Sequence, residues 1–434
     1  MRFLMCLLAV LISACSNVHI PLLDVVEKED VCDLDYSPYQ ATVTGHCQDL
    51  IAQLPESVPV MNKSITIKPL EQIPEIFWFN KKMNYSLVKQ ETIAPVIFVI
   101  AGTGASFESS KMKVLQKNFY QQGYHVISVS SPTFANFIVN ADNNNYLPGD
   151  LSHDAQALYN VMQRMWQQVQ NDEKVQASSF SVTGYSLGAA HSAFVSKLDE
   201  EKKVFNFEKV LLINPPVTLY NSVSILDGYF DLQNNKQAAV DMFDNIFARF
   251  SQNYSTQASS SIDEDAIFTL FKKTQLSEKD LKLLIGASFR ISSSDMLFAL
   301  DASFNLGMIT YKNHHINKLE SVTHSMLRAS NVTFVNYFEK IMLAQAQWED
   351  ASITKEDLIQ RYSLLAIEDY LKNSEKISLM TNKDDIILAK GEVEYLQSLF
   401  SQRAKIFPRG GHCGNMDRLS FIEHLNATFS PRIQ

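Results

Sequence analysis

A serine framed by two glycines lies within the stretch SVTGYSLGAA, residues 181–190. Ser186 is preceded by Gly184 and followed by Gly188, which is the G-x-S-x-G spacing of a serine nucleophile. The spacing alone is a weak signal, because glycine and serine are common residues. Its setting strengthens it, since a short β-prone run comes before the serine and a helix rich in small residues follows. Such a turn exposes the hydroxyl, and the amides at the helix start favour developing negative charge.

A serine nucleophile needs a general base, and one histidine has the setting for it. His412 lies in RGGHCGN, a glycine-rich loop after the last predicted strand. We expect it to act as base toward Ser186 and then as acid toward the leaving group. The other histidines considered fall in predicted helices, at the starts of elements or in a later helical block: His125, His153, His191, His314 and His315.

The acid that would hold this histidine is a choice between two neighbours. The predicted strand ISLMTN ends in the pair Asp384-Asp385, and either carboxylate fits the pattern of an acid after a late strand. We favour Asp385 and keep Asp384 as the alternative. The role of the acid would be to fix the tautomer of His412 and to stabilise the imidazolium. A solvent-facing Asp-Asp turn is the competing interpretation, and it would be preferred without the serine and the histidine.

Two backbone amides are needed to stabilise an oxyanion. Leu187, directly after the serine, is one predicted donor. The second should follow the first strong strand, in the loop AGTGA, where we favour Thr103 and keep Gly104 as the alternative. The same loop is a remote candidate for phosphate binding, because it has neither a P-loop pattern nor a complete G-x-G-x-x-G.

These residues fall at the ends of elements that alternate between strand and helix. The apolar runs PVIFVIAG, YHVISVSSP, SSFSVTG, KVLLINPP and EKISLMTN are separated by helical patterns or by a long helical block. Runs that are apolar on both faces suit buried parallel strands. The pattern predicts an α/β fold with a mostly parallel sheet sandwiched by helices.

With these features the chain resembles the α/β-hydrolase family, whose nucleophile elbow matches GYSLGA from Gly184 to Ala189. The resemblance covers 95–216 and 375–429 and implies the chain order serine, acid, histidine. It departs from the family at Ala101, where the common His-Gly-x-Gly motif has its histidine. The resemblance implies an α/β-hydrolase fold with a large helical cap insertion.

The expected organisation has five parts. We predict a signal peptide at 1–14, an N-terminal linker or extension at 15–90, a hydrolase core at 91–216 and 374–434, and a helical cap at 217–373. Within the extension, SITIKPL and EIFWFN are predicted strands. Within the cap, FDNIFARF and SDMLFALDASF are expected to form mainly the cap's own core, with an acyl pocket as the alternative.

The N-terminus predicts export. MRFLMCLLAVLISA has Arg2, an apolar run and then small residues, and it is too short to span a bilayer. LISAC resembles a bacterial lipobox, which implies a lipoprotein held in the cell envelope by acyl chains such as palmitate on Cys15. Ser16 after the cysteine implies the outer membrane in a Gram-negative cell. An ordinary secretory signal is the alternative.

The remaining cysteines and the charge narrow the class further. Cys32 and Cys47 bracket a short polar loop, and in an oxidising compartment we expect a disulfide, with two buried thiols as the alternative. His46 lacks the spacing of a zinc site, so no metal is expected. A formal net charge of −9 and no basic cluster argue against nucleic-acid binding. Cys413, next to His412, either packs or makes the site sensitive to thiol reagents.

These features predict an exported, membrane-anchored serine hydrolase that needs no cofactor. It would cleave a small-molecule or lipid ester through a Ser-His-Asp triad and an acyl-enzyme. The alternatives are an acyltransferase or peptidase on the same triad, or a non-catalytic binding lipoprotein on a hydrolase scaffold. The oligomeric state stays open.

Overall fold

The computed structural model describes residues 36–45, 50–141, 147–230, 232–253, 264–271 and 276–430. The predicted signal peptide and the cysteines Cys15, Cys32 and Cys47 lie outside the described residues. Lipidation and the disulfide therefore stay predictions.

An eight-stranded sheet lies at the centre of the described chain. The strands lie side by side in the order β1-β2-β4-β3-β5-β6-β7-β8. The pairs β1–β2 and β2–β4 are antiparallel, and all other neighbours are parallel. The α/β class expected from the sequence is thereby confirmed. In chain order the strands are β1 (Val60–Ile65), β2 (Met83–Val88), β3 (Ala94–Ile100), β4 (His125–Val129), β5 (Ala177–Tyr185), β6 (Lys209–Ile213), β7 (Ile377–Asn382) and β8 (Ala404–Phe407).

Helices cover the sheet and fill the connection between β6 and β7. In that connection the structure describes helices and no strand. A π-helical turn, Phe338–Met342, joins two of the short helices. The helices are α1 (Pro38–Thr44), α2 (Ser110–Gln121), α3 (Ala135–Asn140), α4 (Leu151–Glu173), α5 (Leu187–Lys202), α6 (Leu219–Tyr229), α7 (Leu232–Asn253), α8 (Glu264–Phe271), α9 (Glu278–Phe304), α10 (Thr323–Ser330), α11 (Phe334–Tyr337), α12 (Leu343–Glu349), α13 (Lys355–Arg361), α14 (Glu368–Asn373), α15 (Glu392–Phe400) and α16 (Leu419–Phe429).

Strand β3 shows why its apolar run is continuous. Phe98 and Ile100 belong to one buried cluster, with residues of α4 and α5, whereas Ile97 and Val99 belong to another, with residues of α2 and α16. Successive side chains of a strand point to opposite faces. Both faces of β3 are therefore buried, which is the condition that favours a parallel sheet.

The N-terminal part of the chain differs from the sequence prediction. EIFWFN is not a strand, because Glu75–Phe77 form a 3-10 turn after Pro74, and proline disfavours continued strand pairing. The strand lies later, at β2, and pairs with β1. The sheet therefore begins within 15–90 rather than at 91. Helix α4 begins after Asp150, whose side chain accepts hydrogen bonds from the backbone amides of Ser152 and His153 and so caps the helix.

Helix α9 has 27 residues and is long and apolar enough to span a membrane by length and composition. In the fold, 89% of its apolar window is buried within the protein. Met296, Leu297 and Phe298 of this helix belong to the main core. We therefore describe α9 as a core helix of the block between β6 and β7.

Candidate active site

Ser186 lies at the turn between β5 and α5 with a backbone conformation that is rare for a non-glycine residue. Its φ is 54° and its ψ is −129°, which is a strained combination. The two glycines permit the turn because other backbone atoms come too close at both positions to leave room for a side chain. A Cβ on Gly184 would lie 2.3 Å from the carbonyl oxygen of Gly188, and a Cβ on Gly188 would lie 2.2 Å from that of Ile100. The local sequence therefore holds the serine hydroxyl at the end of the central strand.

His412 links this serine to an aspartate. Its Nε2 lies 2.9 Å from Ser186 Oγ, and its Nδ1 lies 2.9 and 3.1 Å from the two carboxylate oxygens of Asp385. The side chain of Asp385 is fully buried and that of His412 is 13% exposed. These partners suit an imidazole that donates its Nδ1 proton to Asp385 and accepts the serine proton at Nε2.

The structure separates the two candidate acids. Asp385 contacts the imidazole, while the Oδ1 of Asp384 accepts a hydrogen bond of 3.0 Å from the amide of Gly411. Asp384 makes no hydrogen bond to His412 among those the structure describes. Of the two candidate acids, Asp385 is the one that contacts the imidazole, because the turn after β7 points the first carboxylate at the backbone of the histidine loop and the second at the ring.

A residue that the sequence analysis missed orients the acid. Asn214 Nδ2 donates to Asp385 Oδ2 at 2.8 Å. Its backbone amide donates to Met380 O, also at 2.8 Å. Asn214 is fully buried. The sequence did contain a signal for this residue. Asn214 directly follows β6, and β6 lies beside β7, the strand that precedes Asp385.

The histidine loop is held by a pair of asparagines. Asn382 Nδ2 donates to Gly411 O at 2.8 Å, and Asn415 Nδ2 donates to Asn382 Oδ1, also at 2.8 Å. Both asparagines are buried. Because buried amides with satisfied partners resist rearrangement, this pair fixes the path of the loop that carries His412.

Helix α1 supports the same loop from the other end of the chain. Thr42 Oγ1 accepts a hydrogen bond of 2.9 Å from the amide of His412. A Cβ on Gly411 would lie 2.2 Å from Pro38 O, and a Cβ on Gly414 would lie 2.0 Å from Ala41 O. The loop therefore packs backbone against backbone on α1, a contact that the sequence analysis did not anticipate.

The predicted oxyanion donors lie beside the nucleophile. A Cβ on Gly102 would lie 3.1 Å from the Cβ of Ser186. Within the described chain, the amides of Thr103 and Leu187 have no hydrogen-bond acceptor. The amide of Gly104 donates to Thr133 Oγ1 at 2.7 Å. In this geometry the N–H of the alternative donor, Gly104, already has an acceptor, whereas that of Thr103 has none among the described residues.

Electrostatics at the site favour a basic histidine. Burial alone would lower the pKa of His412, but the charge and hydrogen bond of Asp385 oppose burial, and the pKa is raised well above its ordinary value. Burial also raises the pKa of Asp384, against the effect of the backbone amides that donate to it. Cys413 is buried, and its Sγ lies 3.9 Å from His412 Nε2.

The remaining candidate histidines lie elsewhere, and none bonds to Ser186 in the part of the chain that the structure describes. His191 Nε2 lies 3.1 Å from Asp154 Oδ2 in the interior, and His153 Nδ1 lies 2.8 Å from Asp150 Oδ2. His125 Nδ1 accepts a hydrogen bond from Gln90 N, while His314 and His315 are exposed. The described residues contain no group of three metal-ligating side chains.

The sheet order, the elbow after the central strand and the chain order of serine, acid and histidine occur together in this structure. The chain has the α/β-hydrolase fold. In this fold the acid and the histidine follow later strands than the nucleophile does, as Asp385 and His412 do here.

Comparisons with known proteins found similarity in structure but not in sequence. No family model matches the chain, and no curated protein matches its sequence. A fungal esterase from Rhizomucor miehei is similar in structure at 13% identity, covering 98% of this chain and 94% of that chain, with a TM-score of 0.40. A thermostable esterase from Pseudomonas putida is similar at 12% identity over 90% of this chain and 84% of that chain, with a TM-score of 0.40. A hyperthermophilic esterase from Pyrobaculum calidifontis is similar at 13% identity over 90% of this chain and 85% of that chain, with a TM-score of 0.38. Similarity at this level assigns neither a reaction nor a substrate.

Proposed function

We propose that the protein is a serine hydrolase that cleaves carboxylic esters through an acyl-enzyme at Ser186. The single observation that supports this proposal most strongly is the continuous hydrogen-bond chain from Asp385 through His412 to Ser186. Each member of the chain has the partner that its role requires. The amides of Thr103 and Leu187, which have no acceptor within the described residues, follow the adjacent strands β3 and β5.

The reaction would proceed in two halves. Ser186 Oγ attacks the ester carbonyl carbon while His412 Nε2 accepts its proton, and the oxyanion takes hydrogen bonds from Leu187 and Thr103. The tetrahedral intermediate expels the alcohol, which takes the proton from Nε2 and leaves an acyl group on the serine. Water then attacks the acyl carbonyl, His412 again accepts a proton, and the carboxylic acid departs as Ser186 regains it.

The role of Asp385 in this scheme follows from its surroundings. Its carboxylate is buried and accepts hydrogen bonds from Asn214 and from the backbone amide of Ile387 as well as from the imidazole. These donors hold the carboxylate in place, so that it keeps the imidazole ring oriented. It would stabilise the imidazolium that forms in each half of the reaction.

The experiment that tests the reaction class is hydrolysis of p-nitrophenyl esters from acetate to palmitate by the full chain in detergent. We expect release of p-nitrophenol that depends on Ser186. The Ser186→Ala variant, matched by Ser192→Ala one turn and a half further along α5, separates the nucleophile from a general effect of losing a buried hydroxyl. Transfer of the acyl group to an added alcohol or amine in preference to water would identify an acyltransferase, and absence of any turnover would support a binding protein.

We also propose that the protein is anchored in the cell envelope by acyl chains on Cys15. Support comes from the LISAC pattern in the sequence, which follows an apolar run with one positive charge. An anchored esterase would meet substrates that partition into or lie close to the membrane surface.

A further inference from the structure

Helix α9 packs against the loop AGTGA, residues 101–105, which carries the candidate oxyanion donor Thr103. A Cβ on Gly104 would lie 1.6 Å from Ser292 Oγ and 3.0 Å from Ser292 Cβ, so this part of α9 packs without a gap against the loop that carries Thr103. Two residues back along that loop, Gly102 adjoins Ser186. The middle of α9 therefore forms a wall beside the nucleophile.

One carboxylate interrupts the buried middle of this helix. Asp295 is exposed, although Ser294 is 3% and Met296 is 1% exposed, and the other residues of 292–301 are all buried. Residues three apart share a helix face. Asp295 therefore lies on the side of α9 that Ser292 presents to the loop at residues 101–105, which we call the oxyanion loop. An accessible side chain on a helix face that packs against the core must open into a recess.

The electrostatic environment of Asp295 agrees with a recess rather than an outer surface. Desolvation raises its pKa to about 6, although the side chain is accessible. Both observations hold together when protein atoms surround the carboxylate and leave one opening to solvent. Within the described chain, Asp295 has no ion pair and no hydrogen bond that would offset this cost.

An ionised carboxylate in such a place is costly unless it has a partner. No cation of the described chain supplies one, whereas Asp227, which is also buried in this block, has Arg290 Nη2 at 2.9 Å. Unpaired, desolvated acids of this kind are characteristic of functional sites. The formal net charge of −9 also favours the approach of cations.

We propose that Asp295 binds a cationic group of the substrate, so that this hydrolase prefers esters that carry an ammonium within a few bonds of the scissile carbonyl. The proposal rests on the proposed ester hydrolysis at Ser186. The ammonium pairs with the carboxylate in the recess, and the ester carbonyl lies between Ser186 and the oxyanion loop. The substrate class is therefore a cationic ester.

The test uses pairs of esters that differ only in charge. On the acyl side, p-nitrophenyl 4-(trimethylammonio)butanoate is matched with p-nitrophenyl 5,5-dimethylhexanoate. On the alcohol side, butyrylcholine is matched with 3,3-dimethylbutyl butyrate. The full chain is assayed at pH 8, where Asp295 is ionised, and the readout is the ratio of kcat/KM for the cationic ester to that for its neutral partner.

We expect a ratio of about ten or more for at least one pair, and a loss of most of that preference in Asp295→Asn. Asp295→Glu keeps the charge and should keep a ratio above that of Asp295→Asn. Asp369→Asn, an exposed aspartate on α14, is the matched control and should keep the wild-type ratio. A wild-type ratio near one or below for both pairs, or an unchanged ratio in Asp295→Asn, overturns the proposal.

Failure of the proposed function would look different. In that case neither neutral nor cationic esters are hydrolysed, and a fluorophosphonate does not label Ser186. Hydrolysis of the neutral esters without any charge preference rejects the role of Asp295 alone.

Discussion

Thr42 and His412 are 370 residues apart in the chain, and Thr42 Oγ1 accepts a 2.9 Å hydrogen bond from the backbone amide of His412. This hydrogen bond therefore joins α1, the first described helix, to the loop that carries His412. The hydroxyl of Thr42 in turn donates to Pro38 O at 2.7 Å, which fixes its orientation. The N-terminal segment is thus a support of the site as well as the connection to the predicted anchor.

Replacing Thr42 by valine should lower kcat by about tenfold with little change in KM. The change leaves the amide of His412 without an acceptor, and an unsatisfied buried donor costs ~1–3 kcal/mol. Thr42→Ser should restore kcat. Thr44→Val is the matched control in the same helix, because Thr44 bonds to Gln40 and not to the histidine loop. Steady-state kinetics with a short p-nitrophenyl ester and thermal unfolding check this; equal kcat loss in both valine variants would contradict it.

The two neighbouring aspartates should differ strongly in their effects. Asp385→Asn removes the acceptor of the His412 Nδ1 proton and should lower kcat by about 10⁴, which is the effect of the equivalent change in a serine protease. Asp384→Asn only weakens a contact to the Gly411 amide and should cost about tenfold or less. The measurement is kcat of both variants at one pH. A larger loss in Asp384→Asn than in Asp385→Asn would contradict the assignment of the acid.

The pH profile should report the raised pKa of His412. The imidazole must be neutral to accept the serine proton, so kcat/KM should rise as pH passes through the histidine's pKa. Since Asp385 raises this pKa above its ordinary value, the rising limb should lie on the alkaline side of pH 6.5. The profile is measured with a neutral ester so that ionisation of Asp295 does not affect substrate charge pairing. A limb well below pH 6.5 would contradict the coupling of His412 to Asp385.

Several parts of this site could be predicted from sequence because their signals are local. The run before Ser186, the glycines around it and the glycine-rich loop of His412 each act within a few residues. EIFWFN failed as a strand because its aromatic composition suits a strand while Pro74 starts a turn. The choice between Asp384 and Asp385 depends on the direction of the turn after β7. The sequence does not reveal this direction, because both residues are aspartates.

Other parts depend on contacts between distant segments. Asn214 acts on Asp385 only because β6 pairs with β7. Thr42 reaches His412 only because α1 packs against the loop that carries this histidine. Asp295 lies in SDMLFALDASF, a segment whose apolar pattern correctly predicts core residues but gives no sign that one carboxylate opens into a recess.

The N-terminal pattern makes a separate prediction. Cys15→Ser removes the acceptor of the acyl chains, so the protein should move from the membrane fraction to the soluble fraction, or stay attached only through an uncleaved signal. Intact mass of the purified wild-type protein should show acyl chains on a chain that begins at Cys15. Cys413→Ser is the matched cysteine control and should leave fractionation unchanged. Wild-type protein free of acyl mass would contradict the lipoprotein interpretation.

The most direct test of the central claim is the site of covalent attachment of a fluorophosphonate. The full chain is treated with the reagent, digested, and mapped by mass spectrometry, with Ser186→Ala and Ser192→Ala in parallel. We expect one phosphonylated serine, Ser186, in the wild-type and Ser192→Ala proteins and no labelling in Ser186→Ala. Labelling of Ser186→Ala at the wild-type rate, or a wild-type adduct on another residue, would contradict it.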